Sequence, residues 1–401
     1  MTHDFPDSNM HKSSLSVLFA LLALCVHPLK GLANDAIIVG LNADMSSGSA
    51  LSGEAIRRGA QIAIDEVNAR GGVLDRPLEL QVRDHRGNPA RGKDNIEDLS
   101  KVDDLVAVIG GIHTPVALAE LDLIHEHKVV YLGAWAAGTP VVDNGRDPNY
   151  VFRVSVRDQY AGEFLLNAAL ERDHSAPCLL LEETGWGRSS EKAFQNAAKK
   201  LSASIVDVQW FNWGIADLSE HLRLFKERGC DAVMLVANPR EGGVAVRSML
   251  SLEKEQRLPI ISHWGITGGD FQAQVGEDFS EIDLLFLQTF SFVKPVHPER
   301  AAPVIDAYIS RYDDASSAEA FPAPVGTAHA YDLIHLLAMA LERAGTTDRA
   351  KIRDSLENLP DYRGLIRDYT PAFTPERHDA LDARDFSLAR FSPSGAIMPV
   401  E

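Results

Sequence analysis

Cysteine and positive charge are both scarce in this 401-residue chain. It contains 3 cysteines, and its 39 Lys and Arg stand against 57 Asp and Glu, which gives a formal net charge of −18. A chain this acidic is poorly suited to bind nucleic acid or an anionic membrane surface, although the same charge also keeps an ordinary soluble protein in solution. Apolar residues make up 45% of the chain, as in a typical globular protein.

The motifs of several enzyme classes are also missing. There is no GxGxxG, GxxxxGK[ST], HExxH or GxSxG, so dinucleotide, P-loop, zinc-protease and hydrolase hypotheses have no support. His125 and His127 have the spacing of metal ligands but no Cys or His cluster beside them, and we predict them to be solvent-exposed. Glu182 and Glu183 are neighbours on a predicted strand, so their side chains point to opposite faces. We therefore predict no catalytic residue, no metal and no cofactor.

Residues 1–33 have the three parts of a secretory signal peptide. Residues 1–12 are polar with a basic end, residues 15–26 are mostly apolar, and residues 31–33 (GLA) form a small-x-small site. Cleavage after Ala33 and a periplasmic location are predicted, with a retained anchor as the alternative. The apolar run is shorter than the ~20 residues that span a bilayer.

Two cysteines remain once this leader is removed. Cys178 and Cys230 each stand at the start of a predicted strand. An oxidising compartment permits a disulfide between them, and two buried small hydrophobic side chains are the alternative.

Strand and helix patterns alternate regularly along the rest of the chain. Apolar strands are predicted at residues 37–41, 78–82, 105–109, 129–132, 178–181, 205–210, 232–236 and 259–262, with helical patterns between them. Alternation of this kind, at intervals of ~25–40 residues, predicts parallel sheets covered on both faces. The pattern restarts after residue 154, so we predict an α/β fold with two doubly wound units.

The stretch over residues 105–139 contains two strand-end loops. The first ends in Thr114 at a helix start, where a hydroxyl lies beside unpaired backbone N–H groups. The second places Trp135 beside Ala136, Ala137 and a glycine, small residues that let a ligand approach the main chain. Ligands of open parallel sheets bind at such loops. We predict a pocket for a small anion with a flat or apolar body.

These segments resemble the type I periplasmic solute-binding proteins, in the leucine/isoleucine/valine-binding branch. The resemblance rests on the order and spacing of SGSALSGEAIRRGAQIAIDEVNARGG (47–72), AVIGGIHTPVALA (107–119), the Gly-Trp-Gly at 185–187 and the Ala-Tyr-Asp at 330–332. It implies two lobes joined by three crossings and closing like a hinge. Lobe 1 would comprise residues 34–153 and 292–385, and lobe 2 residues 154–291 and 386–401.

The resemblance also implies ligand contacts at Thr114, Ala136, Ala137, Trp186 and Trp264. Three further contacts are predicted from position: Trp135 and Asn238 lie at strand ends, and His113 next to Thr114 could donate to a carboxylate, with a capped loop residue as its alternative.

Within that set, Thr114 would hold a ligand carboxylate and Trp186 would pack on the ligand. Trp264 falls where amino-acid-binding members have an acidic partner for the α-ammonium. Cation–π attraction offers only ~0.5–2 kcal/mol, whereas a buried charge that loses its partner costs ~3–5 kcal/mol. Gly326, at a position often aromatic in the family, indicates extra room. The alternative for each tryptophan is packing within its own lobe, and Trp210 and Trp213 are predicted to be structural.

The predicted function is that of a substrate-binding protein of an ABC importer, whose partners are the permease subunits in the inner membrane. An aromatic or planar carboxylate is the first expected ligand, and an amino acid or amide the second. The alternative is a sensing subunit of the same fold that reports to a membrane signalling protein. Turnover of the ligand is not expected.

Overall fold

The computed structural model describes Met1, residues 35–276 and residues 280–400. Met1 apart, the predicted leader and its cleavage site lie outside the described residues. Across the described ranges, no helix is long and apolar enough to cross a membrane.

The first sheet is entirely parallel, in the order β2-β1-β3-β4-β5. Its strands are β1 (Ile37–Ala43), β2 (Leu78–Asp84), β3 (Leu105–Gly110), β4 (Val130–Gly133) and β5 (Val151–Arg153). All but β2, which lies at an edge, are buried along their whole length. Burial on both faces explains why these strands are apolar runs rather than alternating patterns.

The second sheet is mixed, in the order β14-β13-β10-β9-β8-β6-β7. Its strands up to β10 are β6 (Pro177–Glu182), β7 (Val208–Phe211), β8 (Ala232–Val236), β9 (Ile260–Ser262) and β10 (Leu284–Gln288). A separate pair consists of β11 (Tyr362–Arg363) and β12 (Asp368–Tyr369), and β13 (Ser387–Phe391) and β14 (Ile397–Pro399) complete the second sheet. The strands from β6 to β10 are mutually parallel, and β13 and β14 add antiparallel edges.

The helices fall between these strands. They are α1 (Ala50–Ala69), α2 (Pro89–Ser100), α3 (Thr114–Glu126), α4 (Thr139–Val142), α5 (Asp158–Leu170), α6 (Gly185–Leu201), α7 (Ser219–Glu227), α8 (Pro239–Leu250), α9 (Phe271–Val275), α10 (Pro298–Arg311), α11 (Pro324–Ala344) and α12 (Arg349–Leu356). Helices α1 and α11 pack so closely that a Cβ on Gly59 would collide with the backbone of Thr327. The sequence pattern did not predict α12.

The chain passes between the two sheets three times, after β5, after β10 and before β13. We call the first sheet with its helices lobe 1 and the second sheet with its helices lobe 2. The predicted α/β class with two parallel-sheet lobes and three crossings is confirmed, while the residue boundaries proposed for the lobes stay a prediction. From Asp35 onward the two lobes pack together as one compact unit.

A buried ion pair lies at the first crossing. Arg153 at the end of β5 is fully buried, and its Nε lies 2.6 Å from Asp379 Oδ1. Arg157 reaches the other carboxylate oxygen of Asp379 at 3.1 Å. Residues 153 and 379 also form an isolated backbone bridge, so this crossing is tied to the chain segment that leads into β13.

The cysteine alternatives resolve in favour of a bond. Cys178 and Cys230 form a disulfide with Cα atoms 5.8 Å apart. It links β6 to the turn before β8. Strands β6 and β8 already pair in parallel.

Helix α6 begins earlier than predicted. The sequence pattern places its start at residue 190, but it begins at Gly185. The cause is Thr184, whose Oγ1 accepts hydrogen bonds from the N–H groups of Trp186 (3.2 Å) and Gly187 (3.4 Å). The Gly-Trp-Gly segment is therefore the first turn of a helix rather than a loop. Likewise, Trp264 opens a 3₁₀ helix, Trp264–Gly268.

Candidate ligand-binding cleft

The lobes face each other across the carboxyl ends of their parallel strands. A Cβ on Gly185 at the start of α6 would lie 2.8 Å from Leu118 of α3. The N–H of Thr139 donates to Ser189 Oγ at 3.0 Å, again from lobe 1 to lobe 2. Thr114 and Trp186 open α3 and α6 and are both buried. Because these two helices contact each other, the strand-end loops of the two lobes form the walls of one closed cleft.

Three aromatic rings from the two lobes meet in this cleft. Trp135 of lobe 1 and Trp264 of lobe 2 have ring centroids 5.5 Å apart, at an interplanar angle of 49°. Trp264 also lies 5.5 Å from the ring of His329 on α11. Both tryptophans are 1% exposed. We call Trp135, Trp264 and His329 the aromatic cluster; Trp264 therefore packs across the lobes and not only within its own.

His329 is held as a neutral ring. Its Nδ1 lies 2.8 Å from the carbonyl of Ala134, and its Nε2 lies 2.8 Å from Thr289 Oγ1. Burial lowers its pKa to about 4, which the bond to the Ala134 carbonyl only partly offsets. No sequence pattern points to this residue, because it lies mid-helix among apolar neighbours.

The space expected beside Gly326 is filled. A Cβ there would lie 2.9 Å from Trp135 Cζ3 and 3.2 Å from Ala55 Cβ. The extra room inferred from the small side chain is thus taken by the Trp135 ring, and that inference was wrong. The glycine allows a large aromatic side chain from a neighbouring loop to enter the cleft.

Trp186 belongs to a buried polar network in lobe 2. Its Nε1 donates to Asp158 Oδ1 at 3.1 Å, and His263 Nε2 lies 3.1 Å from the same oxygen. The rings of Trp186 and His263 meet edge to face at 5.1 Å. Asp158 Oδ2 is buried without a hydrogen-bond partner. Sequence reasoning missed Asp158 and His263; the one available signal was an acid at the start of a predicted helix that follows a crossing.

The loop after β4 is tied to the protein at most of its backbone groups. Ala136 donates its N–H to Gly111 O at 3.2 Å and accepts from Arg153 Nη1 at 3.0 Å. Ala137 O accepts from the N–H of Asp158 at 2.9 Å. Arg153 also donates to Gly138 O at 2.9 Å, and its Nη2 is buried without a partner. The loop is therefore rigid and lies next to a buried positive charge.

Thr114 and His113 form the adjoining part of the lobe 1 wall. Thr114 Oγ1 accepts from the N–H of Gly138 at 3.1 Å, which leaves its hydroxyl hydrogen for another acceptor. His113 Nε2 lies 3.3 Å from Ser49 Oγ, while its Nδ1 is buried without a partner. Burial lowers the pKa of His113 to about 4, so the ring is neutral near pH 7.

Asn238 precedes α8 on the opposite wall. Its Nδ2 donates to Glu182 Oε2 at 3.1 Å, and its Oδ1 is buried without a partner. Burial raises the pKa of Glu182 to about 7, against the hydrogen bonds that it accepts. Glu182 is fully buried and Glu183 is exposed, so the opposite orientations predicted for this pair are confirmed.

The histidine pair at the end of α3 is more enclosed than predicted. His125 Nδ1 lies 2.7 Å from Leu121 O, and His127 Nε2 lies 3.0 Å from Glu97 Oε2. Both are half-buried rather than solvent-exposed. Within the described ranges, no group of three or more His, Cys, Asp or Glu side chains could hold a metal ion.

A cavity lies between the lobes beside the 3₁₀ turn that begins at Trp264, although the three rings of the aromatic cluster do not line it. It measures about 500 Å³ and is lined by Leu51 and Phe321 of lobe 1 and by Thr267 and Phe271 of lobe 2. Thr267 Oγ1 donates to the carbonyl of Trp264 at 2.7 Å, so the cavity reaches the 3₁₀ turn that carries this tryptophan.

Two α/β lobes that close over strand-end loops define a two-lobed binding protein. The model of the periplasmic binding protein family matches residues 36–395, and the chain belongs to that family. The resemblance to its leucine/isoleucine/valine-binding members is confirmed. Leu/Ile/Val-binding protein BraC3 of Rhizobium johnstonii is 25% identical over 374 residues, covering 92% of this chain and 95% of that protein.

Solved structures show the same fold at lower identity. A periplasmic binding protein type 1 from Bordetella pertussis has a TM-score of 0.82 at 22% identity, over 91% of this chain and 100% of that one. LivJ from Streptococcus pneumoniae, solved with isoleucine, has a TM-score of 0.75 at 22% identity, over 91% and 99%. A solute-binding protein of an ABC transporter from R. palustris, solved with 4-hydroxybenzoate, has a TM-score of 0.73 at 17% identity, over 92% and 96%.

Proposed function

We propose that this chain is the substrate-binding protein of an ABC importer and captures a small planar organic acid between its lobes. The observation that carries the proposal is the aromatic cluster, in which Trp135 and His329 from one lobe meet Trp264 from the other. Flat rings at strand ends favour a flat ligand, because each aromatic pair adds ~0.5–1.5 kcal/mol beyond the area that it buries.

Polar groups without partners suit a ligand with a carboxylate or hydroxyl group. Buried atoms at or beside the cleft without a hydrogen-bond partner are His113 Nδ1, Trp135 Nε1, Asp158 Oδ2, Asn238 Oδ1 and Gln288 Oε1. A buried polar atom without a partner costs ~1–3 kcal/mol, so a ligand that bonds to several of them gains affinity. The Thr114 hydroxyl, whose hydrogen has no acceptor among the described contacts, would hold a ligand carboxylate.

Closure of the lobes would couple binding to presentation at the permease. A ligand shifts an open–closed equilibrium only by its greater affinity for the closed state. In this chain the groups proposed to contact ligand come from both lobes, so their contacts are complete only when the lobes close. The closed form would then be recognised by the permease subunits in the inner membrane.

An amino acid is the second candidate, and Asp158 is the observation that favours it. Trp264 stands where amino-acid-binding members of the family have an acid, which disfavours an α-ammonium. Asp158 Oδ2 offers a buried, unpartnered carboxylate oxygen in the same lobe. The relatives support both classes, since LivJ was solved with isoleucine and the R. palustris protein with 4-hydroxybenzoate.

The test is a ligand panel on the mature chain from residue 34. Benzoate, 4-hydroxybenzoate, L-isoleucine and L-leucine are compared by thermal shift and then by calorimetry. A ligand at 100 times its Kd raises the free energy of unfolding by about 2.7 kcal/mol. We expect the aromatic acids to bind more tightly than the amino acids. A response to leucine or isoleucine without any aromatic response would contradict the proposed ligand class.

Two variants separate the candidates. Trp264→Glu places a charge in the aromatic cluster and should weaken binding of a planar acid at least tenfold. Asp158→Asn removes the carboxylate and should abolish amino-acid binding while planar acids still bind. Trp210→Phe is the matched control, because its ring lies against Arg188 on the same lobe. Equal affinity of wild type and Trp264→Glu for the aromatic acids would remove this residue from the site.

Export through the predicted leader completes the proposal. The mass of the protein recovered from the periplasmic fraction should correspond to a chain that begins at residue 34. A chain that retains residues 1–33 in the membrane fraction would indicate the anchored alternative.

A further inference from the structure

Trp213 is one of the few large hydrophobic side chains that stay exposed among the described residues. It follows β7 and is 37% exposed. The sequence predicts a structural role for it, as for Trp210. The structure instead places it in the turn beyond that strand, with its ring toward lobe 1.

Two buried glutamates hold the turn that carries Trp213. Trp213 Nε1 donates to Glu182 Oε2 at 3.0 Å, and the N–H of Gly214 donates to Glu241 Oε1 at 2.9 Å. Glu182 is fully buried and Glu241 is 5% exposed. Gly214 has a φ of +83°, a left-handed backbone conformation that glycine adopts without strain, and this permits the tight turn. The position of the indole is thus fixed from within lobe 2.

The held indole contacts the other lobe. Its ring lies 5.4 Å from the ring of His113, at an interplanar angle of 64°. His113 immediately precedes Thr114, the residue predicted to hold the ligand carboxylate. On the lobe 2 side, Asn238 donates to the same Glu182 oxygen as Trp213 does. One carboxylate oxygen therefore connects a predicted ligand contact with an aromatic contact between the lobes.

We propose that Trp213 is a specificity-determining residue of the cleft, which closes against His113 when the lobes close on a ligand, with Glu182 as its positioning residue. The proposal rests on the proposed function, because it requires that the ligand bind between the lobes. Trp213 would narrow the cleft beside His113 and so favour thin, planar ligands over branched ones.

The state of the Glu182 carboxyl sets how firmly Trp213 is held. A charged acceptor binds an N–H more strongly than a neutral one. Burial raises the pKa of Glu182 to about 7, and nearby Glu241 acts in the same direction. As the pH rises from 6 to 8, Glu182 loses its proton and its bond to the indole strengthens.

Two titratable groups of lobe 1, Asp44 and His85, lie near His113. Asp44 favours the protonated ring electrostatically, whereas burial has the larger, opposite effect and lowers the pKa of His113 to about 4. The His85 ring lies 5.6 Å from His113, and burial lowers its pKa to about 3. Neither histidine therefore titrates between pH 6 and 8, so among the groups around the contact of Trp213 with His113 the pH dependence is assigned to Glu182.

The first arm of the test measures Kd for 4-hydroxybenzoate and L-isoleucine at pH 6, 7 and 8. Trp213→Ala should weaken binding of the aromatic acid about tenfold at pH 8, and Trp213→Phe, which keeps a ring, less than that. Wild-type affinity should fall severalfold from pH 8 to pH 6, and Glu182→Gln should have the same weaker affinity at every pH. Trp210→Ala is the control and should behave as wild type.

The second arm needs no ligand. The fluorescence of Trp213, obtained as wild type minus Trp213→Phe, should titrate with a midpoint near pH 7. The titration should vanish in the Glu182→Gln background, and His113→Ala should change the emission at pH 8 because the ring contact is lost.

The outcomes distinguish this proposal from the proposed function. If neither probe binds wild type, the proposed ligand class fails, while the fluorescence arm still decides the role of Trp213. If a probe binds and Trp213→Ala leaves its Kd unchanged, Trp213 is not a specificity residue. Emission that is flat from pH 6 to 8, or unchanged by His113→Ala, would overturn the coupling even if a probe binds normally.

Discussion

Three buried histidines lie at or beside the cleft, and their rings are neutral near pH 7. Burial lowers the pKa of His85 to about 3 and those of His113 and His329 to about 4. A cleft lined by neutral rings keeps its aromatic surfaces free of positive charge near pH 7. The Arg153 guanidinium behind the loop after β4 is paired with Asp379, so an anionic ligand would depend on neutral hydrogen-bond donors of the cleft such as the Thr114 hydroxyl.

These histidines make stability depend on pH in a defined direction. Each remains neutral in the folded chain, whereas in the unfolded chain it gains a proton below about pH 6.5. Their contribution is therefore present above pH 6.5 and is lost as the pH falls toward 4. Between pH 7 and about pH 5, each lowers the free energy of unfolding by about 2 kcal/mol.

The expected result for one variant follows from this. His329→Gln should reduce the loss of stability between pH 7 and pH 5 by about 2 kcal/mol, as measured by urea unfolding at both pH values. His174→Gln, at a half-buried position in the turn after α5, is the matched control and should leave the loss as in wild type. An equal slope for wild type and His329→Gln would show that His329 titrates normally in the folded chain.

At the scale of the element, the disulfide closes a long loop. Cys178 and Cys230 are 52 residues apart in sequence, and the bond restricts the unfolded chain more than the folded one. Reduction, or the double substitution Cys178→Ala/Cys230→Ala, should lower the free energy of unfolding by ~2–4 kcal/mol. Denaturant unfolding with and without dithiothreitol measures the difference. Identical curves would mean that the two thiols are not bonded in the folded protein.

The crossing after β5 depends on one buried carboxylate. Asp379 is 3% exposed and accepts from Arg153 and Arg157. Asp379→Asn leaves a buried guanidinium without its countercharge and should cost ~3–5 kcal/mol of stability. It should also weaken ligand binding, because Arg153 fixes the Ala136 and Gly138 carbonyls. Asp354→Asn, whose carboxylate is largely exposed, should cost less than about 1 kcal/mol; equal costs would argue against a structural role for Asp379.

The two lobes contact each other in a closed arrangement. A larger side chain where α6 meets α3 should prevent that closure. Gly185 faces Leu118 across the lobes, with room for little more than hydrogen. Gly185→Leu should hold the lobes apart and weaken ligand binding at least tenfold, while the unfolding of the ligand-free protein changes little. X-ray scattering should show a larger radius of gyration in the presence of ligand than for wild type.

A second substitution serves as the control for Gly185→Leu. Leu118→Ala in the Gly185→Leu background makes room on the opposite lobe and should restore most of the lost affinity. If the double variant binds no better than Gly185→Leu alone, the loss arises within α6 and not from contact between the lobes.

Local signals in the sequence determined the architecture of this protein. Its parallel strands are buried on both faces, so each appears as an uninterrupted apolar run such as residues 232–236, which the structure reproduces as Ala232–Val236. Small-residue loops follow these strands at the edge where the two lobes face each other. Both features depend on residues that are neighbours in sequence, and the sequence pattern therefore contains them.

Contacts between distant segments were decided only by the tertiary structure. The pairing of Trp135 with Trp264 and His329 joins residues from both lobes, as does the contact of Trp213 with His113. The disulfide needed the adjacency of β6 and β8, and the space beside Gly326 was filled by a loop far away in sequence. The physical reason is that packing depends on which side chains fill the same volume, and sequence patterns describe only which face of an element is apolar.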